Sequence, residues 1–200
     1  MSDEKICVVL ASNNMHKAKE IKSILGEFFT IKTLSEVGLE NFEVVEDGKT
    51  FEENAAKKAL AVCEKTGLPT IADDSGLCVD YLDGKPGIYT ARFAGENASD
   101  DENINKLLSE LDKAEFEERK AHFVCVIAFA KNNNIDDVEY FRGECDGYIL
   151  NEKHGENGFG YDPVFYYPEF KCSLAEISED KKNEVSHRSR ALKKFYESRI

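Results

Sequence analysis

Lys5 to Ala11 reads K-I-C-V-V-L-A, an almost unbroken apolar run that stops at Ser12-Asn13-Asn14 and gives way to Ile21, Ile24, Leu25 and Phe28 at helical spacing. A run that is apolar at successive positions has no polar face to turn to water, so it suits a strand covered on both sides. The periodic segment that follows, Met15 to Gly26 with Lys17, Lys19 and Lys22 on its polar side, predicts an amphipathic helix. Strand, polar turn and helix in that order point to a sheet with helices packed on it.

The rest of the chain agrees. Phe29 to Leu34 predicts a second strand and Ser35 to Gly48 an acidic loop. Thr50 followed by Glu53 has the form of a capping box and opens a helix through Ala55, Ala59 and Val62 to near Gly67. Thr70 to Ala72 predicts a short strand, Leu77 to Leu82 another, and Gly84 to Gly87 a turn. Ser99 and Glu102 form a second capping box ahead of Ile104, Leu107, Leu108 and Leu111. His122 to Ala130 and Val138 to Leu150 flank an asparagine tract and predict a hairpin, and the tail from Glu179 places Val185, Ala191, Leu192 and Phe195 roughly on one helical face. Alternation plus a hairpin predicts an α/β fold with a mixed central β-sheet flanked by helices. No repeat, linker or low-complexity tract divides residues 1–200, which predicts a single domain.

Composition narrows the function. The longest apolar run, Phe123 to Ala130, is far too short to span a bilayer, and Met1–Lys5 lacks the basic flank of a secretory signal, so a soluble protein of the cytoplasm is expected. Six cysteines lie far apart with no C-x-x-C pair, which predicts reduced core residues. A net charge of -13 argues against a nucleic-acid polymer as partner, yet leaves room for a small nucleotide met by local cations and a divalent metal.

Four polar clusters are candidates for chemistry. Ser12, Asn13, Asn14, Met15, His16 and Lys17 stand at a helix start, where backbone N–H groups and added donors suit phosphate oxygens, although the same residues also suit a simple helix cap. Asp73, Asp74 and Ser75, with Glu46 and Asp47 upstream, suit a Mg²⁺ bound by one or two carboxylates and substrate phosphates, or alternatively a solvated turn. Phe159, Gly160, Tyr161 and Asp162 can lay a ring on a flat base while the carboxylate meets its edge, or else form a tight turn with buried aromatics. Lys182, His187 and Arg188 can donate to a base or to phosphates, or decorate an exposed helix. Arg92 and, more weakly, Lys57 are further candidates for phosphate contact. The fingerprints of Walker-type ATPases, Rossmann dehydrogenases, zincins and serine hydrolases are absent.

In order, S-N-N-M-H-K, E-D-G-K-T-F-E-E-N-A, A-D-D-S-G-L-x-V-D, G-x-P-G-x-Y-T-A-R, G-F-G-Y-D-P and S-H-R-x-x-A-L resemble the Ham1-like inosine triphosphate pyrophosphatase family, from Ser12 to Leu192. The resemblance implies Mg²⁺-dependent hydrolysis of ITP, dITP and XTP to the monophosphate and pyrophosphate, in a homodimer of elongated two-lobed subunits with the active-site cleft between lobes. It implies triphosphate contacts from Ser12 to Lys17, Asp74 as catalytic base and metal ligand, Glu46 as second metal carboxylate and Ser75 as a substrate contact. The base would be held by Phe159, Gly160, Tyr161 and Asp162, with Lys182, His187 and Arg188 completing purine recognition. Asn13 replaces a frequent Gly and Thr90 a frequent Ser; Val45 replaces one of two frequent acids, which leaves Glu43 and Asp47 as alternatives to Glu46. A Maf-like pyrophosphatase acting on pyrimidine or modified nucleotides, and a nucleotide-binding module without catalysis, are the rival readings.

Overall fold

A computed structural model describes residues 5–199; the polar stretch 1–4 read above for a targeting signal lies outside them. The strands are β1 (Ile6–Leu10), β2 (Phe29–Lys32), β3 (Thr70–Val79), β4 (Lys120–Ala130), β5 (Glu139–Ile149), β6 (Phe165–Tyr167) and β7 (Cys172–Ser173). The helices are α1 (Met15–Leu25), α2 (Phe51–Thr66), α3 (Asp100–Glu110), α4 (Glu179–Val185) and α5 (His187–Glu197). The sheet runs in the order β2-β1-β3-β4-β5-β6-β7. It is mixed, with β1 parallel to β2 and β3, and β6 antiparallel to β5 and β7. The parallel register pairs Val8 with Ile31 and Leu10 with Ile71.

Local chemistry explains the helix ends. Thr50 caps α2 by accepting from the Glu53 N–H at 3.1 Å, while the Glu53 carboxylate accepts from Lys49, one residue further out than a reciprocal box would require. Gly67 closes α2 at φ +66°, a conformation that an added Cβ would strain. The Ser99–Glu102 box at α3 is complete in both directions.

The described residues divide into two compact units, residues 5–74, 125–143 and 188–199, and residues 75–124 and 144–187. Each has an apolar core. The first packs Val8, Leu10, Ile21, Leu25, Ile71, Ile127, Leu192 and Phe195; the second packs Leu77, Ile104, Leu107, Phe123, Ile149, Phe165 and Leu174. All six cysteines are free thiols. No helix among the described residues is long and apolar enough to cross a membrane.

Two elements differ from expectation. Thr70–Val79 is one ten-residue strand rather than two short ones with an acidic turn between. Asp73 and Asp74 lie within it at 1% and 6% exposure, which a strand tolerates because buried cations meet both carboxylates. The tail is two helices, α4 and α5, broken at Ser186, whose ψ of 155° is extended.

Candidate active site

The first unit gathers its charges around Asp73 and Asp74. Asn14 caps α1, its side-chain oxygen accepting from the N–H of His16 at 3.0 Å and of Lys17 at 3.1 Å. That cap aims the Lys17 ammonium at Asp73, 3.0 Å away. Asp73 also accepts from Arg188 at 3.3 Å, and Arg188, 1% exposed, is paired in turn with Glu20. Burial opposes a charge on Asp73, but the fields of Lys17, Arg188 and Lys58 overcome it and hold the carboxyl well below the usual carboxylate range.

Asp74 faces a different environment. Lys58 Nζ lies 3.1 Å from its Oδ1 and 2.8 Å from Glu46 Oε1, so one ammonium bridges two carboxylates. Asn54 donates to Asp74 Oδ2 at 3.4 Å and accepts from the Gly48 N–H at 2.8 Å, tying the Glu46 loop to α2. Burial raises the Asp74 pKa, Lys58 and Lys17 pull it back only in part, and Glu46 adds to the rise. For Lys58 burial works against the charge, and the attraction of Asp74, Asp73 and Glu46 outweighs it, so the ammonium is kept. Two adjacent carboxyl groups thus have their proton affinities pushed apart, the pattern by which a fixed charge and a proton acceptor are separated.

Of the acids upstream of α2, Glu46 shares Lys58 with Asp74, whereas Asp47 pairs with Lys57 at the surface. Among the described residues no group of three or more His, Cys, Asp or Glu side chains is arranged to hold a metal. A cation placed where two carboxylates converge would take Glu46 and Asp74 and complete its shell with water and phosphate, which is the habit of Mg²⁺. The donor set, hard oxygens already gathered about one positive charge, fits that ion.

The second unit holds Ser75 and, Arg188 apart, the residues expected to meet the base. Lys182 and Asp162 form a 2.6 Å ion pair at 4% and 3% side-chain exposure, and the Lys182 ammonium lies 4.6 Å from the centre of the Phe159 ring. Asp162 also accepts from the Phe159 N–H at 2.9 Å. Gly158, at φ +77°, leaves room for this, since an added Cβ would strike the Asp162 carboxylate. Phe159 is half-buried, whereas Tyr161 is buried and donates its hydroxyl to the Thr90 carbonyl at 2.9 Å. Of the two rings, Phe159 is therefore the accessible one. His187 stacks on Phe123 with 4.7 Å between centroids and 14° between planes. Ser75, on β3, is half-buried.

Asn13 donates to the Phe42 carbonyl, and Met15 and His16 are exposed. Lys58 and Glu20 are the residues that the sequence reading passed over. A signal for Lys58 existed: Asn54, Ala55, Ala59 and Val62 mark the buried face of α2, and Lys58 continues that face while Lys57 falls off it. Glu20 sits beside buried Ile21 in α1, but nothing local announces a partner as distant as Arg188.

The Ham1 family model matches residues 8–198. A dITP/XTP pyrophosphatase of Bacillus anthracis is 48% identical over 191 residues, 95% of this chain and 94% of that protein. One from Vibrio parahaemolyticus is 47% identical over 190 residues, 94% of each chain. Among solved structures, the Staphylococcus aureus Ham1 protein superposes with a TM-score of 0.85 at 43% identity, covering 97% of this chain and 100% of its own. A HAM1 protein from Coxiella burnetii gives 0.85 at 41% identity, covering 95% and 96%.

Proposed function

The chain belongs to the Ham1 family, and from that membership we propose that it is a nucleoside triphosphate pyrophosphatase that converts ITP, dITP and XTP to the monophosphate and pyrophosphate, keeping abnormal purines out of DNA and RNA. The observation that carries this reading is the split environment of Asp73 and Asp74 beside Lys17, Lys58 and Glu46. Phosphoanhydride hydrolysis asks a protein to neutralise charge and align a water, and this cluster is equipped for both.

In this reading Lys17, with Ser12, Asn13, Asn14, Met15 and His16 around it, receives the triphosphate, and Lys58 joins them. Glu46 and Asp74 hold Mg²⁺, which offsets phosphate charge when bound. The raised proton affinity of Asp74 suits it to accept a proton at its carboxylate from the attacking water. The water oxygen bonds to the α-phosphorus, the bond to the bridging oxygen breaks, and pyrophosphate leaves with that oxygen. Asp73 remains ionised and keeps Lys17 in place.

The base goes to Phe159, Gly160, Tyr161, Asp162, Lys182 and His187, with Ser75 nearby on the substrate and Arg188 pre-set by Glu20 and Asp73. Lys182 is a donor only, so it suits the O6 acceptor of a 6-oxo purine and leaves the amino group of adenine unmatched. A homodimer in the cytoplasm is part of the same proposal; the family resemblance supports the first, and six free thiols support a reducing compartment.

The test is a nucleotide panel with product identification, with and without Mg²⁺. Monophosphate plus pyrophosphate from ITP and XTP, lost on chelation and weak with ATP, is the expected result. Diphosphate plus phosphate, or a preference for ATP, would reject the reading.

A further inference from the structure

The geometry points to Asp100 as a positioning residue for the ring of Phe159, an inference that rests on the base-binding reading above. Phe159 lies between two glycines, Gly158 at φ +77° and Gly160 at φ +59°, so neighbouring side chains do nothing to restrain its backbone. Hydrogen bonds hold it instead. The Phe159 N–H donates to Asp162 Oδ2 at 2.9 Å, and the next N–H, that of Gly160, donates to Asp100 Oδ2 at 2.7 Å. The peptide groups on both sides of the ring-bearing residue are thus each bound to a carboxylate.

The two carboxylates differ. Asp162 is buried and neutralised by Lys182, whereas Asp100 is exposed and reaches the loop from the first turn of α3. That helix end is itself fixed. The Ser99–Glu102 box caps it, and Asn103, 2% exposed, donates to the Ala91 carbonyl at 3.2 Å and accepts from the Ala94 N–H at 2.8 Å. Tyr161 is anchored separately through Thr90. Without the Asp100 bond, the peptide between Phe159 and Gly160 loses its hold at the N–H and keeps the longer 3.3 Å bond from the Asp162 N–H to the Phe159 carbonyl, so the ring must be ordered further when a base arrives. That ordering cost falls on substrate binding and leaves the chemical step alone.

Asp100→Ala should raise KM for ITP roughly three- to tenfold with kcat held, the range expected for one ordinary hydrogen bond at an exposed position. Hydrogen exchange at the Gly160 amide should quicken in the same variant. Asp100→Asn keeps an acceptor oxygen and should restore most of the KM. Asp101→Ala removes a neighbouring first-turn charge and its 2.7 Å pair with Lys153, and should leave KM unchanged. In a Phe159→Ala background, Asp100→Ala should add nothing further. An unmoved KM in Asp100→Ala, the same loss in Asp101→Ala, no recovery with Asn, or full additivity with Phe159→Ala would each overturn the inference. If Phe159→Ala by itself leaves KM unchanged, base binding by this loop is refuted and the Asp100 role falls with it.

Discussion

The two buried polar clusters solve different problems. In the first unit, Lys17, Lys58 and Arg188 are interleaved with Glu20, Glu46, Asp73 and Asp74, and Lys58 and Arg188 each bridge two carboxylates. In the second, Lys182 is paired with Asp162 beside an aromatic ring. A network whose cations are shared between carboxylates can exchange partners when a metal and a polyanion arrive. A buried, mutually neutralised pair presents fixed donors, which is what a neutral flat ligand requires. In the function proposed above, reaction falls to the first cluster and selection to the second.

The largest expected effect is on turnover. Asp74→Asn keeps size and hydrogen bonding but cannot take a proton, and should lower kcat by roughly a thousandfold or more with circular dichroism unchanged. Measuring pyrophosphate release from ITP checks it, and near-normal turnover would break the assignment of reaction to the first cluster.

The next sharpens the contrast between neighbours within that cluster. Asp73, with its pKa lowered on folding, stabilises the fold above the ordinary carboxylate range and loses that contribution as pH falls through its folded value. Asp74, with its pKa raised, contributes below its unfolded value and loses that contribution as pH rises through the folded one. In the metal-free protein at neutral pH, Asp73→Asn should cost about 3 kcal/mol, because Lys17 and Arg188 lose a buried partner. Asp74→Asn should cost nothing or stabilise by up to about 1 kcal/mol, the mark of a group kept for activity. Urea titrations of both variants decide this, and equal destabilisation would contradict it.

A smaller shift should follow Lys58→Met. Removing the ammonium takes away the larger of the two cationic fields and leaves Lys17 to oppose burial and Glu46, which raise the Asp74 pKa, so the acid limb of kcat/KM should move upward by about one pH unit. A limb that stays in place would detach Lys58 from Asp74.

Much of the fold was legible because its signals are local. The apolar run of β1, the cap and periodicity of α2, and the Ser99–Glu102 box each declare themselves within a few residues. β3 did not, because adjacent aspartates look solvated until Lys17, Lys58 and Arg188 are brought to them from elsewhere in the chain. Motif order identified Asp74, Glu46 and Phe159 as candidates, but long-range pairings were silent. Arg188 meets Glu20 across 168 residues and Gly160 meets Asp100 across 60, and neither partner is marked by spacing.

The division of labour is tested most directly by the ratio of kcat/KM for ITP over ATP in the wild type, Asp74→Asn and Lys182→Gln. Loss of most of that ratio in Lys182→Gln, with the ratio preserved at far lower turnover in Asp74→Asn, is the predicted result. A ratio that survives in Lys182→Gln, or collapses in Asp74→Asn, would contradict the account.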